Sequence, residues 1–369
     1  MSADELPAAE AYALVAPEAA EIAAPALDYR PPMPADRSIP IGLIGAGGIS
    51  FAHLEAYRRY GLNVVAIADR HLDRAMLRRD QHFPEALATD RVEDLIGNSA
   101  IAVLDMTLHP EGRAPLMRRA LEAGQHVLSQ KPFVSSLAVG AELADLAEAR
   151  GLQLAVNQNG RFAPHMAWMR AAVEAGHVGD VIGVHVSIQW DHGWIAGTPF
   201  EQMDQLILED FGIHWFDFLV SIIGDRATSV AARSAMAAGQ SARAPLLAEA
   251  LVAFEGGHAS LVFDGATRFG AKDETVIIGT KGTLRSSGPD LGRQQVSLFT
   301  EAGVARPMLE GTWFNDGFAG AMGALLVAIE TGQPPVHAAR GNLRSLRLGR
   351  AAIESARKGG VRVPIDGGG

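Results

Sequence analysis

Apolar residues in the first half of the chain fall into short unbroken runs, and a stretch of helical periodicity separates each run from the next. Runs without apolar–polar alternation are typical of parallel strands that are buried on both faces, with helices as the crossover connections. The pattern therefore predicts a doubly wound α/β domain around a parallel sheet. Its predicted strands are 41–44, 64–68, 102–104, 126–128 and 152–156, and its helices include 115–123 and 137–150.

The pattern changes beyond about residue 160. Apolar residues at 184, 186, 188 and 190 alternate with polar ones, which indicates a strand with one wet face. Further strands are predicted at 247–254, 258–264, 274–278 and 295–299, and helices at 203–223, at 316–330 and at the end of the chain. We interpret this half as an α+β domain on a large, mostly antiparallel sheet.

A third segment, residues 1–38, differs from both halves. It holds 6 of the 19 prolines and carries 7 acidic against 2 basic residues. The prolines favour extended backbone, so the segment is predicted to be an arm, either a solvated tail or one that docks on a neighbouring surface. The domain prediction is therefore an acidic, Pro/Ala-rich arm at 1–38, a dinucleotide-binding domain at 39–158 and a substrate-binding and oligomerisation domain at 159–369.

Composition and charge remove several classes of function. The chain has no cysteine, which excludes disulfides, thiolate nucleophiles and Cys-ligated metals. Its net charge is −10, so it lacks the basic excess of a nucleic-acid binder. No apolar run is long enough for a membrane span, and the acidic N-terminus does not resemble a secretory signal. We therefore expect a cytoplasmic protein with neither a nucleic-acid nor a membrane partner.

A glycine-rich loop joins the first predicted strand to the helix that follows. In such a loop the first glycine allows the tight turn, the second lets a pyrophosphate approach the backbone, and the helix N-terminus adds free N–H groups. The loop residues are Gly45, Ala46, Gly47, Gly48, Ile49 and Ser50. A glycine loop alone also fits a plain turn.

The second predicted strand ends at Asp69, 24 residues after Gly45, where a carboxylate can bind ribose hydroxyls. This pair predicts a dinucleotide, and the carboxylate favours NAD because it repels a 2′-phosphate. Arg70 keeps NADP open, since a guanidinium can accept that phosphate.

Three further residues are candidates for catalysis. Lys131 follows a predicted parallel strand, whose carboxyl end faces the ligand crevice; a surface lysine is the alternative interpretation. Asp210 and His214 are four residues apart in a predicted helix, so that the carboxylate can orient an imidazole that takes a proton from an alcohol. A structural Asp–His pair and half of a metal site are the other interpretations. No further histidine cluster accompanies the pair, and we assign no metal.

His192 lies between Trp190 and Trp194 in a predicted loop. Aromatic faces stack on sugar C–H surfaces while an imidazole reaches hydroxyls, although core packing is the stronger expectation for the tryptophans.

In combination, the glycine loop, Asp69, the Lys131–Pro132 pair and the Asp210 to His214 segment resemble the Gfo/Idh/MocA oxidoreductases, over residues 39–360. The resemblance implies a Rossmann domain, a second domain whose open sheet forms a homo-oligomer interface, and hydride exchange between a nicotinamide and a sugar, cyclitol or related polyol. It implies that Lys131 lies near the nicotinamide, that His214 is the acid/base and that Asp210 supports both. It also places Asn159 and Arg161 beside the substrate, and the arm around a partner subunit.

Some positions depart from that family's pattern. Gln130 stands where glutamate is common, and this neutral amide is expected to let Lys131 lose its proton more easily. Thr107 and His109 belong to a loop expected on the cofactor side, with Arg113 where histidine is usual.

The predicted reaction is oxidation of a secondary alcohol, in which His214 or Lys131 removes the hydroxyl proton as hydride passes to NAD or NADP. Two alternatives stay open: an enzyme that keeps NAD bound and uses transient ring oxidation for elimination or glycosidic cleavage, and a cofactor-sensing or partner-binding protein without turnover.

Overall fold

Two β-sheets organise the chain, as seen in a computed structural model that describes residues 19–365. The first sheet has six parallel strands in the order β4-β3-β2-β5-β6-β7, which is the doubly wound arrangement predicted from the unbroken apolar runs. The strands are β2 (Ile41–Ile44), β3 (Val64–Ala68), β4 (Leu87–Thr89), β5 (Val103–Met106), β6 (His126–Ser129) and β7 (Leu154–Val156).

Helices cover both faces of this parallel sheet. Those that connect its strands are α1 (Ser50–Arg59), α2 (Leu72–His82), α3 (Pro110–Glu122) and α4 (Leu137–Ala149). A later helix, α7 (Asn315–Thr331), also belongs to this layer, because Phe318 and Met322 pack in one buried cluster with Ile41 and Leu43. The second half of the chain therefore supplies part of the cover of the first sheet.

The second sheet has ten strands in the order β1-β15-β14-β13-β12-β8-β11-β10-β9-β16. Its pairs are antiparallel except for β8 with β11 and β1 with β15, which confirms the mostly antiparallel prediction. The strands are β1 (Glu21–Ile22), β8 (Val181–Gln189), β9 (Ala227–Ala235), β10 (Leu247–Phe254), β11 (Gly257–Asp264), β12 (Lys272–Gly279), β13 (Gly282–Asp290), β14 (Arg293–Thr300), β15 (Gly303–Ala305) and β16 (Val363–Pro364).

One face of the ten-stranded sheet carries the largest buried cluster of the molecule. The helices α5 (Pro164–Glu174), α6 (Ile213–Ile223) and α8 (Ala339–Arg357) contribute side chains to it. The opposite face has no such cover within residues 19–365, and it presents Leu251, which is 61% exposed. Of the helices in the described part of the chain, none is long and apolar enough to cross a membrane.

The described part of the arm, residues 19–38, lies along its own chain. Strand β1 extends the sheet beside β15, and Arg30 forms an ion pair with Glu310. The backbone N–H groups of Ala35 and Asp36 donate to the Glu330 carboxylate at the end of α7. These contacts hold residues 19–38 against the protomer itself, whereas the remainder of the predicted arm, residues 1–18, lies outside the described residues.

Candidate active site

The glycine loop begins with a sharp turn that only glycine tolerates. Gly45 has φ +104°, and a Cβ there would lie 2.9 Å from the Leu108 side chain. At Gly47 and Gly48, in contrast, an added Cβ would meet nothing within 4 Å. One face of the loop is therefore tightly packed and the other is open.

The open face suits an anion. No described residue accepts a hydrogen bond from the backbone N–H groups of Gly47, Gly48 or Ile49. Helix α1 starts directly afterwards at Ser50, which adds the positive end of its dipole. Nearby, Arg78 donates to the Gly47 carbonyl and to Ser50 Oγ, at 3.3 and 3.1 Å. Free N–H donors, a helix N-terminus and open space are the features that the pyrophosphate of NAD requires, so the residues present fit this cofactor.

Asp69 fastens the end of β3 to the same loop. Its Oδ2 accepts from the Ala46 N–H at 2.7 Å and its Oδ1 from the His71 N–H at 2.9 Å. The carboxylate therefore lies beside the loop, as the spacing predicted, while Arg70 is exposed at the surface.

Thr107 and His109 are both expected to contact the cofactor, but the first is buried and the second is exposed. Thr107 is buried and donates its hydroxyl to the Gly45 carbonyl, so it supports the loop from below. His109 is exposed at the start of α3. The buried Arg113, the fourth residue of α3, donates to the carbonyls of Leu108 and Phe133 and ties this loop to the segment after Lys131.

Lys131 bridges the two halves of the molecule. Its Nζ donates to the Asp210 backbone carbonyl at 2.8 Å and to the Asp210 carboxylate at 2.9 Å. Burial alone would raise the pKa of Asp210, but the Lys131 charge and hydrogen bond outweigh it and lower that pKa. The resulting ammonium–carboxylate pair lies at the boundary between the parallel sheet and the second half of the chain.

The Gln130 side chain contacts the Lys131 backbone and His53, not the Lys131 side-chain nitrogen. Its Oε1 accepts from the Lys131 backbone N–H at 2.6 Å, and its Nε2 lies 3.0 Å from His53 Nε2. The Gln130 amide thus presents a donor to His53 Nε2, so this ring nitrogen is the acceptor. The imidazole therefore carries its proton on Nδ1 and donates it to Asp105 at 2.8 Å. Tyr57 donates to the same carboxylate at 2.7 Å. The carboxylate that faces Lys131 is thus that of Asp210, whereas Gln130, a candidate cofactor contact in the sequence, takes part in a buried hydrogen-bonded network.

That network contains residues that sequence reasoning missed. A lone histidine such as His53 fits a surface position and a core position equally well in the sequence, and its buried partners lie 52 and 77 residues away. A burial pattern that placed His53 on the inner face of α1 is the one signal that could have singled it out.

The segment with Asp210 is not the continuous helix predicted at 203–223. Ile207–Phe211 forms a π-helical turn, and α6 begins only at Ile213. The junction depends on Gly212, whose N–H donates to the Ile207 carbonyl at 2.6 Å and whose added Cβ would lie 2.9 Å from that oxygen. Such π-turns are frequent at functional sites, and this one changes how Asp210 projects relative to α6.

His214 lies within electrostatic reach of Lys131 and Asp210. Burial and the Lys131 charge lower the pKa of His214 to about 3, against the opposing effect of Asp210. The imidazole is therefore neutral at neutral pH, and no described residue forms a hydrogen bond with either of its ring nitrogens. A neutral ring beside a fixed ammonium–carboxylate pair has a lone pair available to accept a proton.

The aromatic loop after β8 lies against the same group of residues. Trp190 stacks on Phe211 with ring centroids 4.0 Å apart, and its indole N–H donates to His192 Nδ1 at 2.8 Å. The His192 ring also packs against Phe211, the residue after Asp210, with ring centroids 5.7 Å apart, which places this imidazole near the pair. Trp194 is 59% exposed and packs edge-on against His192.

Arg161 and Asn159, which are expected beside the substrate, are both buried. The Arg161 guanidinium forms a buried, two-bond ion pair with Asp217 at 2.5 and 2.9 Å and donates to the Val336 carbonyl at 2.6 Å. Three of its five N–H donors are bound inside the protein, which favours a structural role for Arg161 over the expected substrate contact. Asn159 is also buried, packed against the first turn of α7 at Gly317.

Comparisons with known proteins agree with this architecture. The model of the oxidoreductase family with an NAD-binding Rossmann fold matches residues 39–158, and the model of the GFO/IDH/MocA C-terminal domain matches residues 166–285. The chain is 28% identical to a D-apiose dehydrogenase of Paraburkholderia graminis, over 86% of this chain and 87% of that protein. It is 24% identical to an inositol 2-dehydrogenase of Rhizobium meliloti, over 86% and 97%.

Among solved structures, an oxidoreductase from Agrobacterium radiobacter in complex with NAD+, L-tartaric acid and magnesium superposes with a TM-score of 0.78. The two proteins are 22% identical, and the match covers 89% of this chain and 98% of that one. At this identity the likeness concerns the fold. Within the described residues, no group of three or more acidic or histidine side chains could hold a metal ion.

Proposed function

Because the chain belongs to the Gfo/Idh/MocA oxidoreductase family, we propose that it oxidises a secondary alcohol of a sugar, a cyclitol or a related polyol with NAD as the hydride acceptor. The relatives named D-apiose dehydrogenase and inositol 2-dehydrogenase support this substrate class. One observation carries the proposal: Lys131 from the first half forms hydrogen bonds with Asp210 from the second half at 2.8 and 2.9 Å, with a neutral His214 beside them.

The cofactor residues follow from the loop geometry. We assign the N–H groups of Gly47, Gly48 and Ile49 to the pyrophosphate and Asp69 to the ribose of the adenosine half. When bound, the nicotinamide supplies the carbon that receives the hydride, and the protein supplies orientation and proton transfer.

His214 is the proposed proton acceptor. Its neutral imidazole removes the hydroxyl proton of the substrate as the carbon–hydrogen bond breaks. Although its pKa is low, the hydroxyl becomes strongly acidic as hydride leaves, so a weakly basic ring is sufficient. The Asp210 carboxylate stabilises the imidazolium that results.

Lys131 has a different proposed role. Its Nζ already donates to a carbonyl and a carboxylate of Asp210, and we assign it to donate a further hydrogen bond to the substrate oxygen that develops negative charge. Asp210 fixes Nζ in position. The three residues thus divide proton acceptance, oxygen polarisation and positioning between them.

We also propose a homo-oligomer that pairs through the uncovered face of the ten-stranded sheet. This face presents Leu251, His258 and Arg362 around a shallow depression of about 340 Å³. Sedimentation velocity compares the protein with its Leu251→Lys variant, and the proposal requires the variant to dissociate at micromolar concentration while the parent does not.

The function is tested by a screen of sugars, cyclitols and sugar acids with NAD and with NADP, which follows the absorbance of the reduced nicotinamide. We expect stoichiometric NADH release with at least one polyol. Lys131→Met should lower its rate by roughly 10²–10⁴, whereas the matched control Lys358→Met, which changes an exposed lysine paired with Glu354, should leave it unchanged. Product formation without NADH accumulation would favour a redox-cycling lyase or hydrolase, and NAD binding without any turnover would favour a sensor.

A further inference from the structure

The hydrogen bond between Trp190 and His192 determines where His192 carries its proton. The indole nitrogen of tryptophan is a donor only, and it lies 2.8 Å from His192 Nδ1. The Nδ1 atom must therefore be the unprotonated acceptor. If the imidazole is neutral, its single proton is on Nε2.

His192 is in fact held neutral by its surroundings. The residue is 7% exposed, and burial lowers the pKa of its ring to about 4. The charged groups that act on it are Asp210 and Asp191, which raise that pKa, and Lys131, which lowers it. At neutral pH the ring is therefore uncharged, and Nε2–H is its one hydrogen-bond donor.

The ring is also fixed in orientation. The His192 backbone N–H donates to the Gly265 carbonyl at 2.7 Å, and the ring packs against Trp194 and Phe211 at centroid distances of 5.0 and 5.7 Å. Trp190 itself stacks on Phe211, the residue that follows Asp210. Within the described residues, the indole N–H of Trp190 is the one hydrogen-bond partner of the His192 ring, and it binds Nδ1. The Nε2–H donor thus stands beside the Lys131–Asp210 pair without a protein partner.

We propose that Trp190 is a positioning residue that locks His192 as an Nε2–H donor, and that this donor binds an oxygen of the polyol next to the carbon being oxidised. The inference rests on the proposed function. Because the site can only donate, it accepts a hydroxyl, an ether or a carboxylate oxygen at that position. A substrate with a methylene group at that position is rejected because it leaves the donor unpaired. A substrate with an ammonium group there is rejected because two hydrogen-bond donors would face each other.

The tautomer is tested directly by two-bond ¹H–¹⁵N correlation NMR of the uniformly ¹⁵N-labelled protein, with His192→Gln used to assign the resonances. We expect a protonated Nε2 and an unprotonated Nδ1 for His192 in the parent protein. Trp190→Phe keeps the stacking on Phe211 but removes the N–H, so it should shift both nitrogens toward the average of a tautomer mixture. A proton on Nδ1 in the parent, or an unchanged spectrum in Trp190→Phe, would overturn the lock.

The donor role is tested by steady-state kinetics with the polyol that gives the highest rate in the screen. His192→Phe should raise KM about 3- to 10-fold, the usual effect of one lost hydrogen bond, with kcat nearly unchanged. His192→Gln places an amide N–H close to the position of Nε2 and should restore most of the affinity. An unchanged KM in His192→Phe, or no recovery in His192→Gln, would overturn the substrate contact. If no polyol is oxidised, the proposed function fails, while the NMR result still decides whether the lock exists.

Discussion

The assignment of Arg161 to a structural role makes a quantitative prediction for Arg161→Met. The side chains of Arg161 and Asp217 are 8% and 1% exposed, and two short hydrogen bonds join them. Asp217 also accepts from Ser345 Oγ at 2.7 Å and from Asn342 Nδ2 at 3.2 Å, both on α8. The ion pair therefore joins the short helical turn at Asn159–Phe162, which follows the last strand of the parallel sheet, to α6 and α8.

Removal of the arginine leaves a buried carboxylate with neutral donors only. Removal of one partner of a buried ion pair costs about 3–5 kcal/mol. Because Ser345 and Asn342 still donate to Asp217, we expect a loss near the lower end, about 3 kcal/mol. The Val336 carbonyl also loses its donor, which adds to the cost. Urea unfolding of the parent and the variant measures this difference in the free energy of unfolding.

Arg344→Met is the matched control, because it makes the same substitution at a surface ion pair. Arg344 and Asp225 are 48% and 72% exposed, so its loss should cost less than about 1 kcal/mol. A structural Arg161 should also leave KM for the polyol within about threefold. A variant that keeps its stability and raises KM more than about tenfold would refute the structural role and reinstate the substrate contact.

Three further predictions follow from individual residues. Asp69→Ala should weaken NAD binding by roughly tenfold or more and NADP binding less, measured by isothermal titration; equal losses would contradict the ribose assignment. Asp273 is 3% exposed, and burial raises its pKa to about 7. Because the folded protein binds this proton more tightly than the unfolded chain does, the contribution of the proton to stability is lost as pH rises toward 7. Asp273→Asn should therefore raise the free energy of unfolding by roughly 4 kcal/mol near pH 8 and by less than half of that near pH 5, and a pH-independent gain would refute this. Because the pKa of His214 is lowered to about 3, its neutral form persists far into acid, and kcat/KM should stay level between about pH 8 and about pH 5; an inflection near 6.5 would show an ordinary histidine.

The parallel sheet was predictable because its strands are unbroken apolar runs. Where that signal is weak the prediction missed the strand: β4 has three residues and only one of them is buried. In the second sheet, β13 was missed because glycine, proline and two serines interrupt its apolar pattern, although its neighbours β12 and β14 hold it in register. Strand pairing can thus impose a conformation that the local sequence does not indicate.

The site was predictable only in part, and the difference lies in sequence separation. The glycine loop and Asp69 act within one βαβ unit, so their spacing carries the information. The partner of Arg161 lies 56 residues away, and that of Lys131 lies 79 residues away. The resemblance to the family brought Lys131 and Asp210 together, but neither periodicity nor spacing could indicate that Arg161 faces Asp217.

The π-helical turn at Ile207–Phe211 is a third case. Its apolar periodicity predicts an ordinary helix, and the extra residue in the turn depends on the close approach of the Gly212 backbone to the Ile207 carbonyl. That contact is a property of the packed structure, so sequence periodicity does not reveal it.

In the proposed mechanism, Lys131, Asp210 and His214 converge on one reacting alcohol. The most direct test is the single-turnover rate of NADH formation in Lys131→Met and in His214→Ala, measured with the dissociation constant of NAD in each variant. Both rates should fall by roughly 10²–10⁴ while NAD affinity stays within about threefold. Unchanged rates in either variant, or a rate loss that merely follows the loss of NAD binding, would contradict it.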